Sequence, residues 1–207
     1  MNLSGISIIL PTMNEGKNLK ILIPELLNVF SDLNLKNSEI IVSDDGSTDD
    51  TKKVLNQIDS NNYDIIFHQR STKPSLPMSI YEGIERSKND YVMWLDADGS
   101  MPASMVKKMI ETILNDEEKI IIASRFADGG GYKGVKEIGK TSIFDAIKNV
   151  KNSKDSVSGM LASIAFNKLL IVLLSSSIKD ITSGFIIGNK KYFHKSYFTN
   201  SSYGEYF

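Results

Sequence analysis

Asp96 and Asp98 stand one residue apart directly after the apolar run of residues 91–95, so two carboxylates leave the end of an extended segment into one space. Two hard oxygen donors at that spacing suit Mg²⁺ or Mn²⁺, which take one or two carboxylates and complete their shell with water and phosphate oxygens. A nucleoside diphosphate is a natural ligand for such a pair. An Asp-x-Asp by itself is more often an acidic turn before a helix, and its place beside two other polar strand ends is what favours chemistry. The first of those is Asp44-Asp45-Gly46-Ser47-Thr48-Asp49-Asp50. Ser47 or Thr48 can serve as a helix N-cap. Capping does not account for Asp44 and Asp45, which repel each other unless a donor or cation lies nearby. A carboxylate there can accept the imino hydrogen of a uracil or guanine ring. The other is Pro11-Thr12-Met13-Asn14-Glu15, where Pro and Asn suit any strand-to-helix turn and only Glu15 exceeds what a turn needs.

Short β-branched runs alternate with helical patterns through the first hundred residues, the habit of βαβ units building a mostly parallel sheet. Residues 6–10, 39–42, 65–68, 91–95 and 119–123 read as strands. Leu19, Leu22, Ile23, Leu26, Leu27 and Phe30 recur at helical spacing, as do Val106, Met109, Ile110, Ile113 and Leu114, so each segment should lay one face on the sheet. Pro102 sits where a first helical turn begins. In open α/β sheets the loops leaving the carboxyl ends of strands form the ligand crevice, so residues 11–15, 44–49 and 96–100 are expected to converge.

The chain has 207 residues, 41% of them hydrophobic, which supports one sizeable core or one domain with a small appendage. With 24 basic against 25 acidic side chains it lacks the charge excess of a nucleic-acid binder, so nucleic acid is not an expected partner. No cysteine is present, which excludes disulfides and thiolate metal sites, and residues 1–25 lack the basic start and apolar core of a signal peptide; a cytoplasmic location is expected. The pattern changes after Arg125: residues 128–158 carry five glycines among lysines and read as a mobile loop with a helix near 143–150. Residues 156–174 form a strong helical pattern, apolar almost all round except for Ser156, Ser163 and Asn167, and 184–188 reads as another strand. That helix is either a core helix or one lying against lipid headgroups, with Lys133, Lys136, Lys140, Lys148, Lys151 and Lys154 facing an anionic leaflet. The chain stops at Phe207 without a polar tail, which is expected of a piece of a longer protein.

The segments "SIILPTMNE", "IIVSDDGSTDDT", "MWLDADGS", "ASRFADGGG" and "IKDITSGF" resemble the family 2 glycosyltransferases of GT-A fold, and among them the dolichol- or polyprenol-phosphate sugar synthases. The similarity covers nearly the whole chain. It implies an α/β GT-A domain, with residues 1–125 as the nucleotide-sugar half and 126–207 as the acceptor half. It implies a hexosyltransferase that carries sugar, with inversion, from GDP-mannose or a UDP-sugar to a polyprenyl phosphate at the cytoplasmic face of a membrane. By this resemblance Pro11, Thr12, Asn14, Glu15, Asp44, Asp45 and Ser47 hold the nucleotide. Asp96 and Asp98 position the metal and diphosphate, and Arg125, Lys133, Lys136 and Ser163 meet the acceptor phosphate. Three positions depart from the pattern. Met13 replaces a frequent aromatic, Ser100 a Gln that assists the metal, and Ile186 a basic residue, for which Lys190 or Lys191 is a candidate substitute.

A polyprenyl phosphate is already an anion near neutral pH, so its oxygen can attack the sugar C1 without a strong general base. His68, inside an apolar strand, and His194, in a polar aromatic segment, are accordingly not assigned catalytic roles. Two alternatives stay open at this level. A family 2 enzyme acting on a saccharide or protein hydroxyl needs a base, with Asp180 or Glu205 as candidates. A nucleotide-binding module that has lost turnover is the other.

Overall fold

A computed structural model of the chain describes residues 4–115, 119–124, 157–173 and 178–199, with only the backbone for 157–164. Two compact units are present, one of Met1–Ile121 with Gly184–Phe207 and one of Ile122–Ser183.

In the first unit the chain runs through β1 (Ser7–Thr12), α1 (Gly16–Asp32), β2 (Glu39–Asp44), α2 (Thr51–Leu55), β3 (Asp64–Gln69), α3 (Leu76–Arg86), β4 (Tyr91–Trp94) and α4 (Ala103–Asn115). The short strand β5 (Ile121–Ile122) straddles the two units, and β6 (Ile186–Asn189) returns to the sheet before a 3₁₀ turn at Lys190–Tyr192 and the short helix Ser196–Thr199. Among the described residues the sheet has six strands in the order β3-β2-β1-β4-β6-β5. Strands β3, β2, β1 and β4 are parallel and β6 lies antiparallel to β4, so the sheet is mixed.

Every residue of β1 and β2 is buried, as expected of strands covered on both faces. Ile9 and Ile41 share one face and pack with Ile80 and Ile84 of α3 and with Val92 and Trp94 of β4. The alternate residues Ile8, Leu10, Ile40 and Val42 are 0% exposed as well, so they must lie beneath the opposite layer, where α1 and α4 pack together. Gly83 sets the depth of α3 on the sheet. A Cβ there would fall 2.5 Å from Ile9 Cγ2, so only glycine permits this approach.

Helix α1 runs through Pro24. A proline inside a helix costs about 3 kcal/mol. Burial of Leu19, Leu22, Ile23, Leu26, Leu27 and Phe30, each 3% exposed or less, contributes about 1.5–3 kcal/mol apiece and outweighs it. Helix α3 is an element that the apolar spacing did not predict. It is 11 residues long, starts from Ser75, whose Oγ accepts from the Met78 N–H at 3.5 Å, and has a proline in its first turn. Neither Ser47 nor Thr48 caps α2, which begins at Thr51; Asp49 Oδ1 accepts from the Thr51 N–H at 3.0 Å instead. The fifth strand, at a sheet edge, is two residues rather than five.

In the second unit α5 (Val157–Leu173) buries Asn167 and exposes several of its large apolar residues. Asn167 is 2% exposed, whereas Phe166, Leu169, Val172 and Leu173 are 53–75% exposed. No helix among the described residues is long and apolar enough to cross a membrane.

Candidate active site

Strand order fixes where the crevice lies. From β1 the chain moves outward to β2 and β3 and then returns to β4 on the other side of β1, so the switch point falls between β1 and β4. The loop after β1 holds residues 13–15 and the loop after β4 holds Asp96 and Asp98. The carboxyl ends of β1, β2 and β3 are level, Thr12 being paired with Asp44 and Asp44 with Gln69, whereas β4 ends at Trp94 opposite Ile9, earlier along β1, where the Leu95 N–H reaches Ile9 O at 3.4 Å.

The loops after β1 and β2 are joined by Asn14, which sits at φ 61°. Its N–H donates to Ser47 Oγ at 2.7 Å and its Oδ1 accepts from the Thr48 N–H at 2.8 Å. Thr12 is buried and its hydroxyl donates to Leu10 O at 2.9 Å; Pro11 is buried beside it. Glu15 is half-buried at the start of α1, where its carboxylate accepts from Asn18 Nδ2 at 2.5 Å. Asp49 closes the corner by accepting from the Gly16 N–H at 3.1 Å. Burial opposes ionisation of Asp49, but the hydrogen bonds from Thr51 and Gly16 prevail and hold its carboxyl below the usual range.

The adjacent carboxylates Asp44 and Asp45 are kept apart by separate sets of donors. Asp44, 1% exposed, accepts from the Gly46 and Ser47 N–H groups at 3.1 and 3.0 Å and from the Ser47 hydroxyl. Asp45 accepts from the guanidinium of Arg70 and from the Ser75 N–H at 3.1 Å. The Asp45 and Arg70 side chains are 0% and 2% exposed, so this is a fully desolvated ion pair. Behind it Arg70 Nε donates to Glu82 Oε1 at 3.0 Å, and His68 Nε2 lies 2.8 Å from Glu82 Oε2. Burial raises the Glu82 pKa, yet the hydrogen bonds from His68 and Arg70 and the arginine charge more than offset it and lower it overall. With both carboxylates buried, the exposed residues of this corner are Asn14, Gly46, Thr48 and Asp49. Arg70 is the residue the sequence analysis missed, although two buried carboxylates at a strand end called for a nearby cation.

Across the switch point, Asp98 Oδ1 accepts from the Ser100 N–H at 2.8 Å, in a turn that passes through positive φ at Gly99 (75°). Asp96 is half-buried. A Cβ on Gly184 would lie 3.7 and 3.9 Å from the two Asp96 carboxylate oxygens, so glycine keeps that side of the carboxylate uncrowded. Oxygen donors from two carboxylates, with no group of three possible ligands among the described residues, fit a hard divalent ion that shares its shell with a diphosphate and do not form a closed protein cage. Lys190 and Lys191 do not reach this site. The register pairs Asn189 with Tyr91 and Ile186 with Trp94, which puts both lysines at the amino end of β4, and Lys190 Nζ donates to Ser87 O at 3.2 Å.

Arg125, Lys133 and Lys136 lie outside the described residues, as do Glu205 and the side chain of Ser163. In the second unit Asp180 is 1% exposed and accepts from the Thr182 hydroxyl at 3.1 Å. His194 is exposed beside Tyr197, their rings 5.6 Å apart.

The family model "Glycosyl transferase family 2" matches residues 7–196. A dolichol-phosphate mannosyltransferase of Pyrococcus furiosus is 32% identical over 164 residues, covering 76% of this chain and 45% of that protein. One from Mycosarcoma maydis is 26% identical over 126 residues, covering 59% and 42%. A poly-beta-1,6-N-acetyl-D-glucosamine synthase of Staphylococcus aureus is 33% identical over 114 residues, covering 55% and 26%. The chain thus spans less than half the length of these relatives. Among solved structures, glucosyl-3-phosphoglycerate synthase from Mycobacterium tuberculosis, in complex with Mn²⁺, UDP-glucose and phosphoglyceric acid, superposes with a TM-score of 0.58 at 17% identity, over 90% of this chain and 57% of that one. The likeness places the chain in the GT-A fold.

Proposed function

From the premise that the chain belongs to glycosyl transferase family 2, we propose that it transfers a hexose from a nucleoside-diphosphate sugar to a polyprenyl phosphate, with inversion at the anomeric carbon. The observation that carries the reading is the strand order, which sets the Asp96–Asp98 loop after β4 on one side of the switch point and the corner built by residues 11–15 and 44–49 on the other. Pro11, Thr12, Asn14, Glu15, Asp44, Asp45 and Ser47 shape the nucleotide end. Asp96 and Asp98 would hold Mg²⁺ or Mn²⁺, which supplies charge neutralisation for the departing nucleoside diphosphate.

The acceptor assignment is supported by the two mannosyltransferase relatives and by the chemistry available. A phosphate monoester needs orientation and charge balance rather than deprotonation, and no described histidine stands at the crevice. Arg125, with Lys133, Lys136 and Ser163, is the proposed holder of that phosphate, because a guanidinium fork fixes two oxygens for in-line attack where an ammonium fixes one. The exposed apolar residues of α5 support peripheral contact with a membrane, and the proposal assigns that contact to the cytoplasmic face.

A second reading has its own observation. The polysaccharide synthase relative and the buried Asp180 favour transfer to a saccharide hydroxyl, with Asp180 as general base. Incubation with labelled GDP-mannose or UDP-glucose, Mn²⁺ and polyprenyl phosphate in detergent tests the proposal. Label should move into the lipid fraction, and label found only in soluble oligosaccharide would favour the second reading.

A further inference from the structure

Glu82 lies on α3, outside the three loops that form the crevice, and yet it is the anchor of the buried ion pair at the nucleotide corner. Arg70 donates on three edges: Nε to Glu82 Oε1 at 3.0 Å, one Nη to Asp45, and the other Nη to Thr72 Oγ1 at 2.7 Å. Asp45 in turn accepts from the Ser75 N–H at 3.1 Å. The guanidinium therefore ties the backbone after β2 to the loop 72–75 after β3, and its orientation is set by its one contact on a regular helix. Glu82 is held in turn. His68 Nε2 lies 2.8 Å from its second oxygen, and the adjacent Gly83 lets α3 lie close against Ile9 of the sheet.

We propose that Glu82 is a positioning residue for recognition of the nucleobase end of the donor. By fixing Arg70 from behind, it holds Asp45 and the 44–47 backbone, which carries Gly46 and Ser47, in one arrangement. This rests on the nucleotide-sugar reading of the same site. It assigns Glu82 no contact with the reacting atoms, and it separates the base end, which Glu82 governs, from the Asp96–Asp98 end, which it does not touch. Without the Glu82 charge Arg70 keeps Asp45, Thr72 and its longer contacts to Lys73 O and Ser75 O, both at 3.4 Å, but loses the acceptor of its Nε, so the corner loosens while the diphosphate end stays as it was.

The test is calorimetric titration of wild type, Glu82→Gln and Glu82→Asp with UDP, GDP and inorganic pyrophosphate, each with Mn²⁺, beside thermal melts of the three proteins. The Glu82 side chain is 26% exposed, so both replacements leave the core packing in place. Glu82→Gln should bind the preferred nucleotide about tenfold more weakly, the loss expected for one charge-assisted hydrogen bond, and bind pyrophosphate as wild type does. Glu82→Asp, which keeps the charge on a shorter stem, should recover part of the loss. Nucleotide affinity unchanged in Glu82→Gln overturns the proposal and leaves the nucleotide-sugar reading standing. Nucleotide and pyrophosphate affinity falling together, with a lowered melting temperature, overturns it in favour of a purely structural role. A wild type that binds neither nucleotide removes the underlying reading and the proposal with it.

Discussion

Asn167 grips the backbone on both sides of Asp180: its Nδ2 donates to Lys179 O at 2.8 Å and its Oδ1 accepts from the Ile181 N–H at 2.9 Å. A side-chain amide that satisfies one donor and one acceptor of a loop stands in for a turn of secondary structure, and it does so from the middle of an otherwise apolar helix. Asn167→Leu is therefore expected to cost about 1–3 kcal/mol, the penalty for stranding these groups. Urea denaturation should show a lower midpoint, and hydrogen exchange at the Ile181 amide should accelerate. Wild-type exchange at that amide would show the clamp to be dispensable.

The Arg70–Asp45 pair predicts an asymmetry between single and double replacement. Asp45→Asn leaves the buried guanidinium balanced by Glu82 alone, 3.0 Å from its Nε, and should destabilise the protein by about 1–3 kcal/mol. Adding Arg70→Met removes the buried charge and should restore part of that loss in urea denaturation. A double variant no more stable than Asp45→Asn would mean that the pair is not desolvated as described.

The lowered pKa of Glu82 sets the sign of an acid dependence. Its carboxyl stays ionised in the folded protein at pH values where the unfolded chain, near the ordinary glutamate value of about 4.3, already takes up a proton. The unfolded state then binds more protons, so this contribution is present above that value and is lost as the pH falls through the lower folded one. Asp49 acts in the same direction. Comparing urea midpoints at about pH 6 and about pH 3 should show a smaller acid loss for Glu82→Gln than for wild type; equal losses would deny Glu82 this role.

How much of this was legible beforehand depended on the range of the interaction. Segments 6–10 and 39–42 announced β1 and β2 because a strand buried on both faces reads as a nearly continuous apolar run, interrupted here only by Ser7 and Glu39, and the three polar clusters followed from their places at strand ends. Helix α3 was missed because its buried residues, Ser79, Ile80, Tyr81, Gly83 and Ile84, include a serine and a glycine that blur the apolar period, although Ser75 and Pro77 mark its start. Arg70 was missed for a different reason. Its partner is 25 residues away, and only the register of β3 on β2 brings the two together. Asn167 read as part of a polar stripe because periodicity locates polar residues on a helix but does not say which side is covered.

Removal of the divalent ion probes the other end of the crevice. Asp98→Asn keeps the shape of the side chain and an acceptor for the Ser100 N–H, so its melting temperature should match wild type while hexose transfer is abolished. Excess EDTA should abolish transfer by wild type, and Mn²⁺ should restore it. Undiminished transfer in EDTA would exclude Asp96 and Asp98 from metal binding.

The central claim is that the acceptor is a lipid phosphate, and its most direct measurement offers one nucleotide sugar to the protein with polyprenyl phosphate or with the corresponding free prenol. Wild type should glycosylate the phosphate and leave the alcohol untouched, and Arg125→Lys should keep nucleotide-sugar binding while losing most transfer to the phosphate, since a point charge does not replace the bidentate fork. Equal use of phosphate and alcohol by wild type, or an undiminished rate in Arg125→Lys, would contradict the account and bring the hydroxyl-acceptor reading forward.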